Sequence, residues 1–115
     1  MTIESSIVAA LTSLVAGRVY PDVGPFGVAR PYITYQQVGG ASVNFMDTAT
    51  LPSQSNGRFQ INVWADTRLA SAALIKQVEL AMRSTLKASV IGQPASTHEP
   101  DTNLYGSRQD FSVWQ

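Results

Sequence analysis

His98, between Thr97 and Glu99, is the only histidine in the chain, and there is no cysteine. A zinc site draws its ligands from several histidines and thiolates, and no HExxH spacing is present, so His98 reads as a surface residue of a hairpin. Glu99 and Asp101 stand close enough in sequence to share a cation, but two carboxylates do not complete a calcium shell. None of the many serines lies in a GxSxG elbow, so a hydrolase triad has no support. Gly24-Pro-Phe-Gly27 and Gly39-Gly40 do not form a phosphate-cradling loop ahead of a helix. Asp47 reads as a loop charge and Asp66 as a helix N-cap. No catalytic residue, metal ligand or cofactor site is assigned, and the expectation is a protein that is not an enzyme.

The totals point the same way. A chain of 115 residues is expected to form one domain, residues 1–115, with one modest core. Charged residues make up 14 % of it, against about 25 % in ordinary globular proteins. Two readings are open: a polar, uncharged surface, or a surface covered by partner subunits, since interface cores are depleted of charge. Eight basic and eight acidic residues balance, which argues against tight phosphate binding and leaves little repulsion against association. No apolar run is long enough to span a membrane, and the apolar N-terminal stretch carries Glu4 where a signal peptide has a basic flank. Assembly in the cytoplasm where the protein is made is the expectation.

The elements follow from hydrophobic period. In Asn56–Asp66, Phe59, Ile61, Val63 and Ala65 point one way and Arg58, Gln60, Asn62 and Trp64 the other, a strand buried on one face only. Asn56-Gly57 is a turn signal before it, and a helix from about Thr67 to Lys87 follows, with Leu74, Ile75, Val78, Ala81, Met82 and Leu86 on one side. Glu79 and Arg83, four apart on the other side, form a solvent pair. Near the N-terminus, Ile3, Ile7, Val8, Leu11, Leu14 and Val15 mark an amphipathic helix with Thr2 as N-cap. Arg18–Pro21 is a candidate short strand, residues 22–31 are a Gly- and Pro-rich loop, and Tyr32–Val38 is a strand opened by Pro31. Ala95–Glu99, bracketed by Pro94 and Pro100, is a short strand, and Arg108–Trp114 closes the chain with Phe111 and Val113 inward. Together these give a small α+β domain.

Two features suggest assembly. The connection from Gly39 to Gly57 is long for neighbouring strands and carries Val43, Phe45, Met46 and Leu51. It is either a hairpin tip folded back on the core or an arm that docks on a partner, and methionine and aromatic side chains favour the arm. Ile61-Asn-Val-Trp64 and Phe111-Ser-Val-Trp114 also echo each other. If their strands are neighbours in register, Trp64 and Trp114 sit side by side on a polar sheet face, either propping the sheet or anchoring a second subunit. The echo reads as strand pairing and not as an internal repeat.

The order of Arg18-Val-Tyr-Pro21, Pro31-Tyr-Ile-Thr-Tyr-Gln36, Val63-Trp-Ala65, Leu104-Tyr105 and Asp110-Phe-Ser-Val-Trp114 resembles the tail completion, or tail terminator, family of long-tailed bacteriophages and prophages. The resemblance runs across nearly the whole chain. It implies a structural virion protein: a two-helix, mainly antiparallel subunit that forms a ring, usually of six. The ring caps the tail tube and presents a surface to the head connector. The implied partners are copies of itself, the tail tube protein and the head connector protein, with DNA passing through the ring without specific binding and no membrane involved.

The full expectation is an α+β fold, a single mainly antiparallel sheet of about four to five strands with two helices packed on one face, in the virion tail at the head–tail junction. The interface to subunits or tube is expected at Val43, Phe45, Met46, Leu51, Trp64 and Trp114. The alternatives are a head-side connector or tail tube subunit and, in another class, a small ligand-binding module that uses the sheet face around the two tryptophans.

Overall fold

A computed structural model describes residues 2–41 and 55–114. The described residues form α1 (Ile3–Leu11), prolonged by a 3₁₀ turn at Thr12–Leu14, then β1 (Val19–Pro21), β2 (Tyr32–Gly39), β3 (Asn56–Ala65), α2 (Arg68–Leu86), β4 (Ser89–Glu99) and β5 (Leu104–Trp114). The strands make one sheet in the order β1-β2-β3-β5-β4. β2–β3, β3–β5 and β5–β4 are antiparallel, whereas β1 lies parallel to β2. The expected α+β class and sheet size hold, and the sheet is mixed because β1 arrives alongside β2. There the Arg18 carbonyl accepts from the Ile33 N–H at 2.9 Å and the Arg18 Nε donates to the Pro31 carbonyl at 2.9 Å.

Alternation in β3 places Phe59, Ile61, Val63 and Ala65 on the inner face, each at most 2 % exposed. β5 continues that row with Phe111 and Val113, and β2 with Ile33 and Tyr35. Both helices lie across this face: α1 contributes Ile7 and Leu11, and α2 contributes Leu74, Ile75, Val78 and Met82. Thr2 caps α1 as expected, its side chain accepting from the Ser5 N–H at 3.0 Å.

At α2 the cap expected from Asp66 is one residue later. The Thr67 hydroxyl accepts from the Ala70 N–H at 3.1 Å, and Asp66 instead accepts from Arg30 at 3.1 Å. Thr67 has the extended backbone that an N-cap requires, so its oxygen reaches the first turn while Asp66 stays free for a cation. The helix ends on Lys87 in the left-handed conformation (φ 55°), with the Ala88 N–H donating to the Met82 carbonyl at 3.2 Å.

Two strands are longer than their sequence signals. β4 begins at Ser89 and runs past Pro94 because it is an edge strand, where a missing N–H costs nothing if it faces solvent. Its register shifts between Ile91 and Ala95, so Gly92, Gln93 and Pro94 bulge from the ladder. β5 begins at Leu104, and its Gly106 leaves room for an indole: a Cβ there would lie 2.9 Å from Trp64 Cζ3 and 2.8 Å from Thr97 Cγ2.

Candidate interaction surface

Trp64 and Trp114 do not sit side by side. Trp64 is opposite Gly106 and Trp114 opposite Asn56. The two strands are neighbours, but their antiparallel sense puts the Val-Trp pairs that close them at opposite ends of the ladder. Eight residues of strand, about 26 Å, separate the two positions along β3. The environments differ accordingly. The half-buried Trp64 donates from Nε1 to Thr34 Oγ1 at 3.3 Å, and Thr34 is itself 3 % exposed. Trp114 is 50 % exposed.

The Trp64 end of the outer face lies under the loop that joins β1 to β2. Asp22 enters this loop with φ 63° and Gly27 adopts φ 76°, turning the chain back over the sheet. Gly24 rests on the Tyr32 ring, where a Cβ would fall 2.7 Å from Cε2, and Tyr32 meets Tyr20 edge to face at 6.3 Å. Between loop and sheet is an open cleft of about 470 Å³, with Val23, Phe26, Tyr32, Trp64, Leu104 and Glu99 in its walls. Phe26 is fully exposed and Val23 is 79 % exposed.

Two phenols of β2 hold their protons more tightly than a free tyrosine. Burial, reinforced by Glu99 and opposed by Arg30, raises the Tyr32 phenol above its ordinary 10.0. Burial, with Glu4 and Asp22, does the same for Tyr35. A phenol held protonated donates a hydrogen bond and does not serve as a nucleophile at neutral pH. Among the described residues no group of three or more His, Cys, Asp or Glu is placed to hold a metal ion, and no helix is long and apolar enough to cross a membrane. His98 is exposed, stacks on Tyr105 at 4.6 Å and contacts Asn103 Oδ1 at 2.9 Å. The walls of the cleft suit an apolar side chain.

Away from the cleft, two polar sets on the outer face each pair internally. Arg58 donates twice to Asp110, at 2.9 and 2.7 Å, and the Asn56 amide donates to Ser112 Oγ and to the Val113 carbonyl at 2.7 and 3.2 Å. Across the molecule, α2 turns Leu69 and Leu80 to solvent, 84 % and 69 % exposed. Val43, Phe45, Met46 and Leu51 lie outside the described residues; the segment that holds them leaves the sheet where the Ala41 N–H donates to Asn56 Oδ1 at 2.7 Å.

Sequence reasoning missed Val23, Phe26, Leu69 and Leu80. A signal existed for the leucines, which fall off the buried row of α2 and eleven residues apart, three turns along one line. For Phe26 the signal was an aromatic held between Pro25 and Gly27, where no core can reach it.

The sequence matches the family of tail completion protein gp17 over residues 6–115. The chain belongs to that family. Its members are structural proteins of the virion, and membership places this chain in the virion tail. Among solved structures, a chain from the virion of a native gene transfer agent particle shares the fold with a TM-score of 0.57 at 16 % identity, covering 97 % of this chain and 92 % of that one. A comparison with curated proteins gives no match.

Proposed function

We propose that this tail completion family member works as a terminator: a homo-oligomeric ring, of six copies, that caps the tail tube and joins it to the head connector. The observation that carries the reading is the family match over residues 6–115, joined to a surface short of charge with large apolar side chains turned outward. Phe26, Val23, Leu69 and Leu80 lie on two sides of one small subunit, as a part covered by neighbours on both sides requires. Balanced charge suits a channel through which DNA passes without being held. The tail tube protein and the head connector are the partners beyond the ring. The segment with Val43, Phe45, Met46 and Leu51, together with Trp64 and Trp114, remains the proposed contact to the tube or to a neighbour.

The test is native mass measurement combined with electron microscopy of the purified protein mixed with tail tubes. Discrete rings seated at tube ends are expected. Unlimited stacking into tubes would mark a tube subunit, and a monomer that ignores tube ends would overturn the terminator reading. Replacing Phe45 and Met46 by serine is expected to weaken docking or assembly more than it lowers the melting temperature; equal loss of both would return that segment to the core.

A further inference from the structure

The 22–28 loop and the outer side of α2 lie on opposite sides of the sheet, and each leaves an apolar pair in solvent: Val23 with Phe26, and Leu69 with Leu80. Single exposed apolar side chains are ordinary; what distinguishes these pairs is the charge beside each. On α2, Lys76 lies on the line between Leu69 and Leu80, is exposed, and joins no ion pair among the described residues. The one acidic residue of the helix, Glu79, already accepts from Arg83 at 3.3 Å and from the Gln109 amide at 3.0 Å. This side of the subunit is therefore apolar with unopposed positive charge.

The cleft side is its complement. Asp22 and Glu99 line the cleft and Asp101 follows in the next turn. All three are exposed and outside any ion pair among the described residues. Arg30, the cation in the cleft wall, is already bound to Asp66. Arg108, exposed opposite Asn62 and outside any ion pair among the described residues, is a further neighbouring cation, and against the three carboxylates it leaves this side apolar with net negative charge.

We propose that these two surfaces bind each other between copies of the chain, the Leu69–Lys76–Leu80 line of one subunit seating on the Val23–Phe26 loop and cleft of the next. The inference rests on the ring reading and assigns its joint. Two unlike patches on opposite sides make a head-to-tail contact, which closes into a ring when the rotation per copy is right. Apolar burial supplies the attraction, and the opposed charges set the orientation and reject the reversed one.

The experiment compares wild type with Val23→Ser/Phe26→Ser and with Leu69→Ser/Leu80→Ser by native mass spectrometry, with unchanged melting curves confirming that these exposed substitutions leave the fold intact. Wild type is expected to be oligomeric and each variant alone monomeric. An equal mixture of the two variants is expected to give a heterodimer and nothing larger, since each brings the one surface the other lacks. Lys76→Glu is expected to weaken assembly about tenfold, and Glu99→Lys/Asp101→Lys in the same chain to restore it. If wild type assembles but either variant does too, or the mixture stays monomeric, or the charge reversal is not rescued, the joint is overturned while the ring reading stands. A wild type that is monomeric at every concentration overturns both.

Discussion

On the inner face of β3, Phe59, Ile61 and Val63 are at most 1 % exposed, while Arg58, Gln60, Asn62 and Trp64 on the outer face range from half-buried to exposed. The strand is one, and its two rows answer to different demands. The inner row meets α1 and α2 and is held by packing alone. The outer row is a mosaic: an ion pair at Arg58–Asp110, an indole over a glycine at Trp64–Gly106, and a cleft roofed by a loop. A face sealed under helices can be uniform, whereas a face left open to solvent is divided into patches, each with its own local contacts.

The largest test of this contrast is Val63→Asp, which puts an unpaired carboxylate at a position that is 0 % exposed. The cost is expected to match or exceed the roughly 5–15 kcal/mol that holds a domain together, so circular dichroism should find no cooperative melt. A folded Val63→Asp protein would mean the inner face is not sealed. Next, Phe111→Ala is expected to lose about 3–5 kcal/mol in denaturant titration. A loss below about 1 kcal/mol would place Phe111 in a site able to collapse.

The outer face should answer in smaller steps. Gly106→Val drives a side chain into Trp64 and Thr97 and is expected to cost about 1–3 kcal/mol, together with a shift in tryptophan fluorescence. Arg58→Ala breaks an ion pair whose arginine is 47 % exposed and is expected to cost about 0–1 kcal/mol. If it cost as much as Phe111→Ala, the division between the faces would fail. The smallest effect is alkaline. Tyr32 and Tyr35 hold their protons more tightly when folded, so stability present below pH 10.0 falls as pH rises through and above that value. Tyr35→Phe should flatten that fall.

The same division governs what the sequence reveals. Period two in residues 59–65 and helical period in residues 74–82 announce inner-face elements, because burial selects side chains at fixed intervals. The outer face follows no interval. Gly106 looks like a turn residue until Trp64 is placed above it. Pro94 looks like the end of a strand until β4 proves to be an edge. The paired Trp motifs announce that β3 and β5 are neighbours, but a motif carries no strand direction, so the separation of the two indoles was hidden. Asp66 and Thr67 compete for one cap, and only the Arg30 contact across the loop decides between them. Phe26 carries no periodic signature, and Leu69 falls off the buried row of α2, so neither announces itself as part of the core.

The bulge at Gly92-Gln93-Pro94 has a consequence for life before assembly. A sheet whose margins offered long unpaired backbone would recruit stray strands, and a protein with no net charge has little repulsion to prevent it. Here one margin is three residues long and ends in Pro21, which has no N–H, and the other is broken in mid-strand. The margins of the sheet therefore guard newly made subunits against amyloid-like growth by strand addition.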